Sequence, residues 1–112
     1  MIITIKGLPK HSLNEIYAGK HWTKRKKDKD KYKRIILSQF NKVLSKEKQY
    51  EVEYTFEFKT RPLDVSNTVY MLKMIEDVIF EDDTYKIIPT LKISSIKGKE
   101  DLVSIKITQI II

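Results

Sequence analysis

The sequence predicts a small α+β domain in which two helices pack on one sheet of mixed or antiparallel strands. Three observations lead to this prediction. The segment Gln49 to Lys59 alternates aromatic and charged residues, which is typical of a strand with one buried face. Two other segments carry apolar residues at helical spacing, and short β-branched runs lie near both ends of the chain. The order β-α-β-α-β-β and the length of 112 residues fit one domain spanning residues 1–112.

The first strand is predicted at Ile2 to Lys6, where a β-branched run ends at Gly-Leu-Pro. The loop that follows, His11 to Trp22, has neither a helical nor a strand period. It contains residue types that contact phosphates or stack on bases, namely Asn14, Tyr17, Lys20, His21 and Trp22. An ordinary connection anchored in the core by Tyr17 and Trp22 is an equally good interpretation.

A first helix is predicted from Thr23 to about Ser45, with Thr23 as its N-cap. Its second half has apolar residues three and four positions apart, which indicates a buried stripe: Tyr32, Ile35, Ile36, Phe40, Val43 and Leu44. Its first half is almost entirely Lys, Arg and Asp. We therefore expect the second half to pack on the sheet and the first half to stay in solvent or on a phosphate backbone.

The net charge of +7 is concentrated in the segment Lys20 to Arg34. This segment holds nine Lys or Arg and two Asp, so its own net charge is +7, and the other residues carry 13 basic and 13 acidic groups. Concentrated basic charge is typical of a protein that binds a polyanion, most often nucleic acid. A solvated helix face is the alternative. The candidate DNA-binding residues here and on the later loop are Lys24, Arg25, Lys26, Lys27 and Arg61.

The second half of the chain predicts one helix and two strands. The helix runs from Ser66 or Asn67 to Val78, with Ser66 as its N-cap. A strand from about Tyr85 to Ser95 is interrupted by Pro89, and a turn at Lys97-Gly98-Lys99 leads to a last strand, Leu102 to Ile112. We expect these two strands to form a hairpin. The apolar end, Ile110 to Ile112, is a candidate dimer surface if that strand lies at an edge, although burial in the core is an equal alternative.

Composition excludes several classes of protein. The chain has no cysteine, which excludes disulfides and thiolate zinc sites, and only two histidines, which disfavours a polyhistidine metal site. No apolar run approaches the roughly 18 residues of a membrane helix, and the first residues lack the apolar core of a signal peptide. We therefore expect a cytoplasmic protein without a membrane partner.

The segment from Asp64 to Asp83 is acidic although the chain as a whole is basic. It holds six of the fifteen carboxylates, namely Asp64, Glu76, Asp77, Glu81, Asp82 and Asp83. Such a group repels itself unless a cation is present, and Mg²⁺ prefers oxygen ligands. The predicted helix rises about 15 Å from Asn67 to Asp77, and the following segment can return about 17 Å. Asp82 or Asp83 can therefore reach Asp64 at the start of the helix.

Lys73 is the lysine of this helix, and two interpretations of it are open. It lies four residues before Asp77, which favours an exposed ion pair on one helix face. It can also assist phosphate binding or stabilise a leaving group.

These residues resemble the RusA family of Holliday junction resolvases. The similarity lies in a basic strand end, a helix start that reads Asp64-Val-Ser66-Asn67, an amphipathic helix and the pair Asp82-Asp83 before the next strand. The opening strand, the loop with Pro9 and Asn14, and the basic entry to the first helix are also similar. The resemblance spans nearly the whole chain, although each motif is short.

The resemblance implies a homodimeric, Mg²⁺-dependent endonuclease that cuts four-way DNA junctions, with Mn²⁺ as an alternative ion and no other cofactor. It implies a phage or prophage protein in a bacterial host. Asp64, Asp82, Asp83 and Lys73 would then be catalytic, and Asp64, Asp82, Asp83 and Asn67 would hold the metal. The chain departs from the family where an aspartate is replaced by Ser66 and a lysine by Tyr70. A RusA-like protein that binds DNA without cutting it, as a regulator, is the alternative.

Overall fold

The computed structural model describes residues 1–111 and has four strands and three helices in the predicted α+β arrangement. The strands are β1 (Ile2–Lys6), β2 (Gln49–Phe58), β3 (Thr90–Lys97) and β4 (Leu102–Ile110). The helices are α1 (Asn14–Tyr17), α2 (Trp22–Leu37) and α3 (Val69–Ile79), and a 3₁₀ turn (Val65–Thr68) leads directly into α3. The predicted fold class and element order are confirmed, with α1 as an additional short helix in the loop before α2.

The four strands form one mixed sheet in the order β1-β4-β2-β3. β4 runs antiparallel to both β1 and β2, whereas β3 runs parallel to β2. The predicted hairpin between the last two strands is therefore wrong, because β3 and β4 lie on opposite sides of β2. β4 lies between β1 and β2, but its pairing with β1 ends at Lys106, and Ile110 pairs with Gln49 of β2 alone. The dimer surface at Ile110 and Ile111 therefore stays a prediction, and Ile112 lies outside the described residues.

One face of the sheet is covered by the helices and forms the core. β2 contributes the alternating residues that the sequence indicated, and all five are buried: Tyr50, Val52, Tyr54, Phe56 and Phe58. Ile3, Ile5, Val103 and Ile105 continue this face across β1 and β4. The helices cover it with one stripe each, which includes Tyr32 and Ile36 of α2 and Leu72 and Ile75 of α3. The opposite face of β2, with its Glu residues, is accessible to solvent.

Helix α2 is shorter than predicted, ending at Leu37 rather than near Ser45. Gln39 beyond its end accepts a hydrogen bond from the Lys6 backbone N–H and donates one to the Lys6 carbonyl, both at 2.8 Å. Leu44 forms an isolated parallel bridge with Phe80. These contacts hold the chain after Leu37 outside a helix, and Val43, expected in the buried stripe, is 60% exposed.

Other boundaries and caps also differ from the predictions. His21 caps α2 by accepting from the Thr23 backbone N–H at 3.2 Å, so Thr23 is not the N-cap. Asp64 stands at the N-cap position of the 3₁₀ turn, and Ser66 lies within the turn. Strand β3 begins at Thr90 rather than Tyr85. Residues 85–87 form a turn instead, because Ile87 and Ile88 both donate backbone hydrogen bonds to the Thr84 carbonyl.

Within residues 1–111, no helix combines the length and apolar character that crossing a membrane requires.

Candidate functional site

The basic segment forms α2 and leaves most of its surface in solvent. Tyr32 and Ile36 are its buried residues, and they hold the helix on the sheet. The cations before them are exposed on several sides, which places Lys24 and Lys27 on the outer surface. Trp22 at the first position is 62% exposed, and its ring lies 5.7 Å from that of the capping His21. The alternative interpretation, in which Tyr17 and Trp22 anchor the loop in the core, is therefore wrong, since Tyr17 is also 80% exposed.

A groove lies between α2 and α3, and we call it the α2–α3 groove. Helix α2 lines it with Trp22, Arg25, Lys26 and Lys29, and helix α3 with Val69, Tyr70, Lys73, Met74 and Asp77. The segment at α1 adds Leu13 and Ile16. Four cationic side chains and one carboxylate thus line the groove. Lys26 pairs with Asp30 at 3.2 Å and Lys73 with Asp83 at 2.7 Å, so Arg25 and Lys29 contribute most of the positive potential that favours an anionic ligand.

Lys20, one of the residues predicted to contact DNA, belongs to a network of hydrogen-bonded charges. Its ammonium lies 2.8 Å from Glu15 and 2.5 Å from Asp28. Burial opposes ionisation of Asp28, but hydrogen bonds from Lys20 and Tyr70 outweigh it and lower the carboxyl pKa below its usual value. Tyr70 donates to Asp28 at 2.6 Å. This network ties the loop before α2 to both long helices.

His11 belongs to the same network and completes a group of potential metal ligands. Its Nδ1 lies 3.0 Å from Glu15 and its Nε2 lies 3.5 Å from Asp28. In the described part of the chain, His11, Glu15 and Asp28 are the one group of three such side chains whose ligand atoms all lie within 4.8 Å of one another. The Lys20 ammonium contacts both carboxylates and offsets one of their two negative charges.

In the middle of α3, Lys73 binds two carboxylates. Its ammonium lies 2.7 Å from Asp83 and 3.3 Å from Glu76. The hydrogen bond from Lys73 lowers the pKa of Asp83. Burial raises the pKa of Glu76 to about 7, and the charge of Lys73 opposes this rise. The predicted pair of Lys73 with Asp77 is thus replaced by pairs with Glu76 and Asp83.

Asp64 lies in a separate polar depression at the start of the 3₁₀ turn. Asn14, Arg61 and Asn67, all predicted site residues, line the same depression together with Lys10, Ser12, Pro62 and Leu63. The Lys10 ammonium donates to the Arg61 carbonyl. The Leu13 backbone N–H donates to the Asn67 carbonyl at 3.0 Å and so joins the loop to the turn. Tertiary structure therefore brings four of the predicted residues together.

The three aspartates of the predicted metal site do not converge. Asp82 and Asp83 are not among the residues that line the depression around Asp64. Asp82 accepts from the Thr84 backbone N–H at 3.0 Å, and Asp83 is bound by Lys73. The residues present do not fit a Mg²⁺ site shared by Asp64, Asp82 and Asp83, since these three do not form a group of close ligand atoms within residues 1–111.

Sequence reasoning missed several residues of the groove and the network. Lys29 lies in the basic segment, and its position one turn after Lys26 was the available signal. The apolar residues of the groove had no such signal, because Leu13 and Ile16 lie in a loop without a period. The roles of Glu15 and Asp28 depend on contacts between separate elements, which spacing does not reveal.

Comparison with known proteins adds no family assignment, since no protein-family model and no curated protein sequence matches the chain.

Proposed function

We propose that this protein binds DNA through the phosphate backbone, with the α2–α3 groove as the centre of the interface. One observation carries the proposal: Arg25, Lys26 and Lys29 of α2 meet Lys73 of α3 around a single groove. Arg25 and Lys29 form no ion pair among residues 1–111 and are therefore available to phosphates, whereas Lys73 is bound by Asp83 and Glu76. Phosphate contacts of this kind position DNA without reading its sequence.

Branched DNA is the proposed substrate class. The support for this part is the resemblance to the RusA family, together with the cations on several sides of α2, which suit contacts with more than one duplex arm. Such a protein would act in the cytoplasm of a bacterial host, as a phage or prophage product. A homodimer with one copy on each side of a junction completes the proposal.

Mg²⁺-dependent cleavage of the same DNA is the second candidate function. It is favoured by one observation, the placement of Asp64 and Asn67 beside Lys10 and Arg61 in one polar depression. The separation of Asp64 from Asp83 favours binding without cleavage. We therefore place DNA binding first and cleavage second.

The binding experiment compares a synthetic four-way junction with linear duplex of the same sequences in a mobility-shift titration. We expect tighter binding to the junction, weakened at least about tenfold when Arg25 and Lys29 are both replaced by Gln. Lys42 and Lys86 are exposed lysines outside the groove, so the Lys42→Gln, Lys86→Gln protein is the matched control. Absence of binding to either DNA, or equal loss in both double variants, would contradict the proposal.

The cleavage experiment uses the same labelled junction with Mg²⁺, with Mn²⁺ and with EDTA. Binding without products is the expected result. Paired nicks that need the metal and disappear in Asp64→Asn would establish the second candidate instead. The Ser66→Asp variant tests whether the missing carboxylate is the reason for inactivity, because it restores the acidic residue that the resemblance implies.

A further inference from the structure

The α2–α3 groove has an apolar floor that phosphate binding does not require. Leu13 and Ile16 line it from the α1 segment, and Val69, Met74 and the ring of Tyr70 line it from α3. Met74 and Tyr70 are buried, whereas Leu13, Ile16 and Val69 are partly accessible. The groove therefore combines a cationic rim with an apolar base.

Trp22 adds a large aromatic surface to this groove. It lines the groove from the first turn of α2 and remains 62% exposed. Arg25 and Lys26 follow it on the same helix and line the groove as well. An aromatic side chain beside cations is the arrangement on which single-stranded nucleic acids stack their bases while their phosphates are neutralised.

The outer surface of an intact duplex does not match this groove. A duplex presents phosphates and sugars along its backbone and keeps the faces of its bases stacked inside. An unpaired nucleotide presents a flat ring together with the adjoining phosphates. Of these two, only the unpaired nucleotide can contact the cationic rim and the apolar floor of the groove at the same time.

We propose that the α2–α3 groove binds an unpaired nucleotide of a DNA strand, with the base against Trp22 and the apolar floor. The adjoining phosphates lie on Arg25, Lys26 and Lys29 of α2. This inference rests on the proposed function and deepens it, since it names the part of a branched DNA that the groove takes. An anionic lipid would use one or two of these cations, whereas a strand with successive phosphates uses all three along α2.

The test uses the fluorescence of Trp22, which is the only tryptophan in the chain. The protein is titrated with a short oligothymidylate, with an abasic strand of equal length and with an equally long duplex. We expect the oligothymidylate to quench Trp22 and to bind about 5- to 100-fold more tightly than the abasic strand, as one stacked base predicts. The abasic strand keeps the phosphates, so it measures the contribution of charge alone.

Substitution of Trp22 separates stacking from charge. Trp22→Ala is expected to weaken oligothymidylate binding at least about fivefold, measured by anisotropy, and to leave binding of the abasic strand unchanged. Tyr85→Ala is the matched control, because Tyr85 is 77% exposed and lies outside the groove.

Three results would overturn the inference. Equal affinity for the abasic strand and the oligothymidylate, with duplex binding intact, would leave the groove as a phosphate site and leave the proposed function standing. Failure of every nucleic acid to bind would remove both. Quenching of Trp22 by oleate or by polyglutamate, without quenching by oligothymidylate, would assign the groove to a lipid or to an acidic protein.

Discussion

The Tyr54 hydroxyl is buried in the centre of the sheet without a hydrogen-bond partner among residues 1–111. Burial raises the pKa of this phenol well above its usual value, and the charges of Glu76 and Asp83 add to the rise. An unsatisfied buried hydroxyl destabilises the folded state by about 1–3 kcal/mol. Tyr54 is therefore a position where a less polar residue should improve stability.

Tyr54→Phe is expected to raise the free energy of unfolding by about 1 kcal/mol, measured by urea denaturation. Tyr50→Phe on the same strand is the control and should lower it, because the Tyr50 hydroxyl donates to the Ser45 carbonyl at 3.0 Å. A loss of stability in Tyr54→Phe comparable to that in Tyr50→Phe would show that the Tyr54 hydroxyl is satisfied in solution.

Glu76 makes stability depend on pH in the opposite sense to an ordinary surface carboxylate. Burial raises its pKa from 4.5 to about 7 in the folded protein. Between these two values the folded state binds more protons than the unfolded chain, so the free energy of unfolding falls as pH rises. Asp83 has a lowered pKa and titrates below its usual 3.8, outside this window.

Glu76→Gln should remove this dependence, because the amide does not ionise. We expect its Tm to exceed that of the parent protein by roughly 5 °C at about pH 8 and by much less at about pH 5. Asp77→Asn, an exposed neighbour on the same helix, is the control and should change little at either pH. A constant difference between Glu76→Gln and the parent across this range would mean that Glu76 does not titrate there.

At the scale of elements, α2 combines packing and charge in one helix. Tyr32 and Ile36 hold it on the sheet, and the preceding turns present cations to solvent and to the α2–α3 groove. The sequence indicated this division, although it overestimated the length of the helix. The packed part is short because Gln39 and Leu44 are held by β1 and by the chain after α3.

The cations of the groove should each account for about one phosphate contact. In a plot of log K against log salt concentration, Lys29→Gln is expected to reduce the slope for DNA by about 0.9. Lys42→Gln should leave the slope unchanged, since Lys42 lies outside the groove. Equal slopes for the two variants would remove Lys29 from the interface.

At the scale of the whole molecule, the connection from β3 to β4 decides the order of the sheet. These strands lie on opposite sides of β2, so residues 98–101 must pass the end of β2. The Gly98 backbone N–H donates to the Phe58 carbonyl, and the Asp101 side chain accepts from the Lys59 N–H, both at 2.9 Å. A Cβ at Gly98 would lie 1.8 Å from Glu57 Oε1.

Gly98→Ala is therefore expected to lower the free energy of unfolding by about 1 kcal/mol, because the Glu57 side chain must move. The collision involves Oε1, Cδ and Cγ of Glu57, at 1.8 to 2.2 Å, so the loss depends on this side chain turning away as a whole. Glu57→Ser combined with Gly98→Ala should recover most of it in a double-mutant cycle measured by urea denaturation. If the two substitutions lowered the free energy of unfolding additively, the Cβ at position 98 would not collide with Glu57.

The sequence predicted the positions of the helices and strands better than it predicted which strands pair with each other. The alternation in β2 identified its buried face, since period 2 depends on the strand alone. The pairing of β3 with β2 was not predictable from the turn at Gly98, because a hairpin and a crossing connection both use such a turn. Among the predicted site residues, Asp64, Asn67, Asn14 and Arg61 lie together in one depression, whereas Asp83 lies with Lys73.

By itself, the sequence determined the α+β class, the amphipathic helices, the aromatic face of β2 and the concentration of positive charge before Tyr32. These features depend on local periodicity and composition, which a single chain displays directly. Tertiary structure alone decided the strand order, the enclosure of Lys20 by Glu15 and Asp28, and the meeting of Lys73 with the cations of α2. These depend on contacts between residues distant in sequence, where packing and charge neutralisation select one arrangement among several that the same local patterns allow.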